Sequence, residues 1–343
     1  MAQSSLDLDP ASSPEELAAA ISVLPDGTDL GSDAVGKLEK TLLTGTPPEQ
    51  RNPAKYAQIF DFVRRNHAVT PWMRFAAWAE SVNGRRRMKG ANMAAIAGEL
   101  GDLMREAAEN IPNDPYKYAL LGGIAYNRGI VCRGLRQYAE EALAQRESAS
   151  WYGFAGNPAK SDTSLFASQV GAVSAAFVAG DDDKIWRACE ALVALRDFVK
   201  CQAYPYPAWM VDNAPIHIGF ALMMVSFLDI VPISELDELA GKESENVFEA
   251  GRRVRSDAWK KAFETWHDYD ERFDDDAVIS AIPVDAPSSS LDNSTLTIRI
   301  LVARATERKG DADGARKILT EVVNHEGPDG GIPIAVAKKL LAS

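Results

Sequence analysis

Residues 304–322 have the sequence RATERKGDADGARKILTEV, and their pattern predicts two helices that fold back on each other. The Gly-Asp pair at 310–311 ends the first helix, because glycine is the residue that most often follows a helix end. After this break, Ala315, Leu319 and Val322 recur at intervals of four and three residues. Such spacing places them on one face of a helix. The stretch therefore predicts a helical hairpin with a buried seam.

The same stretch resembles the middle of a tetratricopeptide-repeat hairpin. Poorer copies of the pattern begin at Phe177 and at Tyr118, the latter out of phase by one residue. The Gly-Asp turns at 180–181 and 310–311 are 130 residues apart, and no period of about 34 residues links them. The resemblance therefore implies stacked antiparallel helical hairpins, without membership of that repeat family.

Helix-start signals recur along the rest of the chain. A capping residue followed by proline occurs at Ser13-Pro14, Asn52-Pro53, Thr70-Pro71 and Asp114-Pro115. Glu16 completes a capping box with Ser13, and Gly84 is placed to end the helix that starts after Thr70. Between such signals the apolar spacing is helical in about a dozen segments.

Two of these segments show a clear apolar face. Within residues 181–200 this face carries Ile185, Cys189, Leu192 and Val199. After Ser244 a second face carries Val247, Val254, Ala258, Trp259, Phe263 and Trp266. Strand signals are nearly absent, since β-branched and aromatic residues do not alternate with polar ones over more than a few positions. We therefore predict an all-α fold of stacked antiparallel helical hairpins with essentially no sheet.

Composition divides the chain into four segments. Residues 1–50 are predicted to form an acidic N-terminal helical arm, and residues 51–280 a central α-helical domain whose first part, 51–160, is basic. Residues 281–294, AIPVDAPSSSLDNS, contain two prolines and four serines and are typical of a linker. Residues 295–343 are predicted to form a C-terminal helical hairpin.

The overall composition is that of a globular protein. The 343 residues carry a net charge of −12 and are 46% hydrophobic, which excludes wholesale disorder.

The first twenty residues contain no Lys or Arg and no apolar core, so we expect no secretory or mitochondrial leader. The longest uncharged apolar stretch, 213–228, is shorter than the roughly 20 residues that span a membrane, and predicts a buried helix. Cys132, Cys189 and Cys201 follow no metal-ligand spacing and are typical of a reducing compartment.

Charge is unevenly distributed along the chain. Residues 1–50 sum to −7, residues 51–160 to +6 and residues 161–343 to −11. Arg and Lys bind phosphates, and aromatic rings between them can stack on unpaired bases. The candidate polyanion-binding residues are Arg64, Arg65, Arg74, Arg85, Arg86, Arg87, Lys89, Arg128, Arg133 and Arg136. The rings interleaved with the first of them are Phe60, Phe62, Trp72, Phe75 and Trp78.

A purely structural interpretation of this pattern stays open. Residues 83–87, NGRRR, would then form a solvated turn, and the aromatic residues would be the core faces of two amphipathic helices. If the basic part has a partner, the charge predicts a polyanion or an acidic protein surface. Residues 161–343 of a neighbouring copy are one such surface.

Motifs for catalysis or metal binding are scarce. Residues 266–276, WHDYDERFDDD, would place His267 and Glu271 on one helical face. They lack the glycine and final glutamate of a calcium loop and the second histidine of a zinc helix. The sequence contains no nucleophile elbow, Walker loop or dinucleotide fingerprint. We therefore predict no metal and no cofactor, and we name no catalytic residue.

Three classes of function remain open. The first is a non-catalytic, all-helical assembly or interaction protein that self-associates and binds a partner through helix-hairpin surfaces. The second is a viral nucleocapsid or coat-type protein, located in the virion, that packages RNA through a basic cleft in residues 51–136. The third is an all-α enzyme of unknown reaction. Expected partners are a second copy of the chain and either a protein or single-stranded nucleic acid. We expect no membrane partner. We expect a cytoplasmic location, or the virion if the protein is of the nucleocapsid type.

Overall fold

The computed structural model describes residues 8–28, 30, 35–44, 47–200, 208–231, 275–280, 293–325 and 331–343. These residues are 79% helical and contain no strand. Within this part of the chain the α-helices are α1 (Pro14–Ile21), α2 (Gly36–Glu39), α3 (Pro53–Arg65), α4 (Pro71–Arg85), α5 (Met93–Asn110), α6 (Pro115–Gly134), α7 (Tyr138–Phe154), α8 (Pro158–Ala179), α9 (Asp182–Lys200), α10 (Ala208–Phe227), α11 (Asp275–Ser280), α12 (Asn293–Arg308), α13 (Ala312–Val323) and α14 (Gly331–Ala342). A π-helical turn, Lys40–Thr44, follows α2, and a 3-10 turn, Pro48–Gln50, precedes α3. The predicted all-α fold is confirmed.

Capping hydrogen bonds confirm the predicted helix starts. Ser13 Oγ accepts from the Glu16 backbone N–H at 3.2 Å, and the Glu16 carboxylate accepts from the Ser13 N–H at 2.9 Å. The side chains of Asn52, Thr70 and Asp114 cap α3, α4 and α6 by accepting from the N–H three residues ahead. Each such cap stabilises its helix by about 1 kcal/mol.

The chain divides into two compact units. Unit 1 comprises residues 1–135 and 143–165, and unit 2 comprises residues 136–142 and 166–343. In unit 1, α3 packs along α4, α5 packs along α6, and the short α1 packs on α3. The largest side chains fully buried in this core include those of Tyr56, Phe60, Leu38, Leu100 and Leu103.

Gly84 does not end its helix as predicted. Helix α4 continues to Arg85, and Gly84 lies against the neighbouring helix α3. A β-carbon at Gly84 would be only 2.9 Å from the Ala57 backbone nitrogen. The glycine therefore allows two helices to approach closely, which is a tertiary role that the local pattern does not distinguish from a helix end.

In unit 2, α12 and α13 form the hairpin predicted from residues 304–322, and α14 packs against both of them. Helix α10 packs against α9 and α12. Ile185, Cys189 and Leu192 are buried, as their spacing predicts. The second half of α10 is also buried, so the long uncharged stretch contributes a core helix. None of the helices in the described ranges is both long enough and apolar enough to cross a membrane.

Several predictions fall on residues outside the described ranges. They concern the apolar face between Val247 and Trp266, the acidic stretch 266–274, the linker residues 281–292, the side chain of Val199, and Cys201.

Candidate interaction surfaces

Arg85 is bound within unit 1 by Glu99 of α5. Its guanidinium donates two hydrogen bonds, Nη1 to Oε2 at 2.8 Å and Nη2 to Oε1 at 2.5 Å. Glu99 also accepts from Trp78 Nε1 at 2.6 Å. Burial by itself would raise the pKa of Glu99, but the hydrogen bonds from Arg85 and Trp78 outweigh it and lower that pKa below its ordinary value. The pair ties the end of α4 to α5.

The aromatic residues between the basic ones belong to the core. Phe60, Trp72 and Phe75 are buried, and Phe62 and Trp78 pack against the same core. The Arg64 guanidinium lies 4.1 Å from the centroid of the Trp78 ring, in a cation–π contact. The prediction that these rings stack on bases is therefore wrong for the three buried ones. The interpretation of the rings as core faces is confirmed.

Arg86 belongs to a polar network between α3 and α4. Its Nε donates to Asn83 Oδ1 at 3.0 Å, and Asn83 Nδ2 donates to Glu80 Oε2 at 3.1 Å. The buried Tyr56 hydroxyl donates to the same Glu80 oxygen at 2.8 Å. Burial, with a smaller contribution from the charge of Arg87, lowers the pKa of Arg86 to about 10. Burial and the nearby Glu80 carboxylate raise the pKa of Tyr56 well above its ordinary value.

The interpretation of residues 83–87 as a solvated turn is therefore wrong. Asn83 and Gly84 are buried inside α4, and the three arginines that follow are half-buried. Arg87 Nη2 lies 3.9 Å from Glu39 Oε1 of α2. Because these charges have partners inside unit 1, removing them costs stability as well as surface charge.

Other candidate cations have different surroundings. Those that are exposed and make no ion pair with the described residues are Arg65, Arg74 and Lys89. Arg128 Nη1 lies 3.9 Å from Glu147 Oε2, and Arg133 is exposed. Arg136 belongs to unit 2, whereas the other nine candidates belong to unit 1. The ten residues therefore do not form one surface of a single unit.

Three aromatic rings form a cluster at the surface of unit 1, on α6 and α7. The Tyr118 ring centroid lies 6.0 Å from that of Trp151 and 5.8 Å from that of Phe154. The Trp151 and Phe154 centroids are 6.0 Å apart. Phe154 is 69% exposed, while the other two rings are half-buried. An exposed ring supported by two more is the arrangement of an interface anchor.

Leu143 extends this apolar surface along α7. It is 58% exposed and precedes Phe154 by eleven residues, which is about three helical turns and therefore the same face. We refer to Tyr118, Leu143, Trp151 and Phe154 together as the aromatic surface. Charge patterning did not predict it. The sequence feature that indicates this surface is the i, i+3 spacing of Trp151 and Phe154 on one helix.

Titratable groups elsewhere have structural roles. Asp181 caps α9 by accepting from the Lys184 N–H at 3.2 Å, and hydrogen bonds from the Lys184 side chain and backbone lower the pKa of Asp181. Cys132 and Cys189 are buried thiols, and burial raises the pKa of Cys189 to about 12. Among the described residues no group of three or more His, Cys, Asp or Glu could hold a metal ion. Residues 266–274, with His267, lie outside that search.

Comparison with known proteins found no family model, no curated protein and no solved structure that matches the chain. Three features of the chain itself bear on its function: the aromatic surface, the internal arginine network and the exposed cations.

Proposed function

We propose that the protein is a non-catalytic assembly protein whose copies associate through the aromatic surface of unit 1. The observation that carries this proposal is Phe154, an aromatic side chain that is 69% exposed and rests on two further rings. Burying such a side chain at an interface contributes about 1.5–3 kcal/mol of favourable free energy to association. Aromatic anchors in well-packed surroundings commonly dominate the energy of protein interfaces.

The charge distribution favours a second copy of the chain as the partner. The aromatic surface lies within residues 51–160, which sum to +6, whereas residues 161–343 sum to −11. Opposite charges on two parts of one chain can meet between copies and guide their association. Two different patches in contact make a heterologous interface, and such interfaces produce rings or open chains.

Substitution of Phe154 tests the proposal. Phe154→Asp places a charge at the centre of the apolar contact, so we expect it to abolish association. Val23→Asp is the matched control, because Val23 is 78% exposed and lies outside the aromatic surface. Light scattering coupled to size-exclusion chromatography, at micromolar concentration and low salt, measures the mass of each variant.

The wild type and Val23→Asp should both exceed the single-chain mass of 37.2 kDa, and Phe154→Asp should equal it. Raising the salt should reduce the wild-type mass, since exposed charges are screened beyond about 8–10 Å at physiological ionic strength. A wild type that stays a monomer at low and high salt would overturn the proposal. So would a Phe154→Asp variant that assembles normally.

Packaging of single-stranded nucleic acid is the second candidate. The observation that favours it is the exposure of Arg65, Arg74 and Lys89, which make no ion pair with the described residues. Solvated cations of this kind are free to replace the counterions of a phosphate backbone. Under this candidate Arg85, Arg86 and Arg87 hold the scaffold, and the three exposed cations contact phosphate.

The dependence of RNA affinity on salt tests the second candidate. The triple variant Arg65→Ala, Arg74→Ala and Lys89→Ala should flatten the log–log salt slope by about two units, if each residue contacts one phosphate of a single strand. A control with the same charge change replaces Arg105, Lys184 and Arg316, all exposed, by Ala. Equal slopes for both triple variants, or no salt-sensitive binding by the wild type, would exclude this candidate.

A further inference from the structure

Unit 2 contains a cleft that the aromatic surface does not involve. Its walls come from the turn before α7, the end of α8, and α14, and it encloses about 430 Å³. Small-molecule sites typically occupy roughly 300–1,000 Å³. The residues that matter for its chemistry are Arg136, Tyr138, Phe177, Ile334, Lys338 and Lys339.

The charged lining of the cleft is cationic. Arg136, Lys338 and Lys339 all line it, and none of the described residues that line it is Asp or Glu. The Lys339 ammonium donates to the Gly180 carbonyl at 3.0 Å and pairs with Asp182, so it mainly joins α14 to the end of α8. Lys338 is exposed and makes no ion pair with the described residues. Among the described residues, the charged side chains at the cleft are therefore all cationic.

Two backbone features shape the walls around these charges. Arg136 has a φ of 59°, a left-handed conformation that residues other than glycine adopt only when their surroundings hold them there. A β-carbon at Gly331 would lie 1.5 Å from the Tyr138 hydroxyl oxygen, so the start of α14 lies directly against the end of the Tyr138 side chain. Both residues line the cleft, and left-handed backbone at residues other than glycine, as at Arg136, is enriched at ligand sites.

The rest of the lining is apolar. Phe177 and Ile334 are buried, and Val178 and Ala335 continue the apolar lining. A site with an apolar lining and a few convergent polar groups binds ligands that have both characters.

We propose that this cleft binds a small organic anion in which a phosphate or carboxylate group is attached to an apolar ring. The planar guanidinium of Arg136 matches the geometry of either oxyanion, and Lys338 adds a second positive charge. The ring lies on Phe177 and Ile334. This site is separate from the proposed assembly function, since none of its residues belongs to the aromatic surface.

Calorimetric titration of the full chain tests the site, with phenyl phosphate, benzoate and inorganic phosphate as probes. We expect saturable binding of phenyl phosphate or benzoate, and the tighter of the two identifies the head group. Inorganic phosphate should bind at least about tenfold more weakly, because it leaves the apolar lining unfilled. Inorganic phosphate that binds as tightly as the ring-bearing probes would overturn the proposal.

Two variants and a control locate the binding in the cleft. Lys338→Glu should weaken binding about tenfold, as expected from the loss of a charged hydrogen-bond donor. Ala335→Phe should abolish it by filling the cleft. Lys317→Glu, an exposed lysine on α13, makes the same charge change outside the cleft and should leave affinity unchanged. If Ala335→Phe does not fold, Lys338→Glu decides, because Lys338 is exposed. The absence of saturable binding by the wild type, or unchanged affinity in Lys338→Glu, would overturn the proposal.

Discussion

Arg85 donates two hydrogen bonds to Glu99, and the same carboxylate accepts from the Trp78 indole. For a single residue, the partner of a charged side chain determines whether the charge stabilises the fold or remains in solvent. Residues 64–65 and 85–89 contain six arginines and lysines that the sequence alone does not distinguish. Of these, Arg85 is held between two helices by its ion pair with Glu99. Lys89, four residues later, is exposed and makes no ion pair with the described residues.

This contrast gives a stability prediction. Arg85→Ala should lower the free energy of unfolding by about 1–3 kcal/mol, because it leaves the half-buried Glu99 with one partner fewer. Lys89→Ala should change it by less than about 0.5 kcal/mol, as is usual for surface substitutions. Urea denaturation followed by circular dichroism measures both. Equal stabilities for the two variants would contradict the structural role of Arg85.

Glu99 also predicts a dependence of stability on pH. Its native pKa lies below the ordinary value of 4.5. The carboxylate therefore stabilises the fold above that value, and the contribution is lost as the pH falls through the native pKa. The free energy of unfolding should fall more steeply with acid in the wild type than in Glu99→Gln.

Urea denaturation at a series of pH values between neutral and acid makes this measurement. Glu106→Gln is the control, because Glu106 is exposed on the same helix and makes no hydrogen bond or ion pair through its carboxylate with the described residues. It should keep the wild-type profile. A Glu99→Gln profile as steep as that of the wild type would show that protonation of Glu99 does not contribute to the loss of stability in acid, and would contradict the prediction.

At the scale of helices, the packing of α3 on α4 depends on Gly84. Helix propensity favours alanine over glycine by up to about 1 kcal/mol. At Gly84 the new methyl group would approach the Ala57 backbone nitrogen to 2.9 Å, and backbone cannot move aside as a flexible side chain can. We expect the steric effect to dominate, so that Gly84→Ala destabilises the protein by about 1–3 kcal/mol.

Gly98 is the matched control for this prediction. It lies within α5, and a β-carbon there meets nothing within 4 Å. Gly98→Ala should therefore stabilise the protein by up to about 1 kcal/mol, since only the propensity changes. Thermal or urea denaturation of the two variants should give shifts of opposite sign, and a stabilising Gly84→Ala would contradict the close approach of the helices.

At the scale of the whole molecule, the opposite charges of residues 51–160 and 161–343 predict how copies associate. When two copies meet through two different patches, each copy still has one patch that contacts nothing, and a third copy can bind there. Assembly at low salt should therefore proceed beyond two chains, to rings or open chains. Sedimentation velocity across a concentration series measures the species present. A dimer that does not grow with concentration would indicate a symmetric contact instead.

The amino-acid sequence alone determined the helical class and many helix starts. The Ser13, Asn52, Thr70, Asp114 and Asp311 side chains cap their helices through the N–H three residues ahead. The apolar spacing of Ile185, Cys189 and Leu192 likewise predicted which side is buried. Such features are readable in sequence because both partners lie within one or two helical turns.

Only the tertiary structure decided which charges face solvent and where sites form. Glu99 lies 14 residues from Arg85, and Gly180 lies 159 residues from the Lys339 that binds it. Gly84 has its role because α3 packs against it. The exposure of Phe154 likewise depends on how α6 and α7 pack. Partners this distant in sequence meet only through helix packing, which depends on apolar surfaces summed over whole helices and leaves no local pattern around the residues it joins.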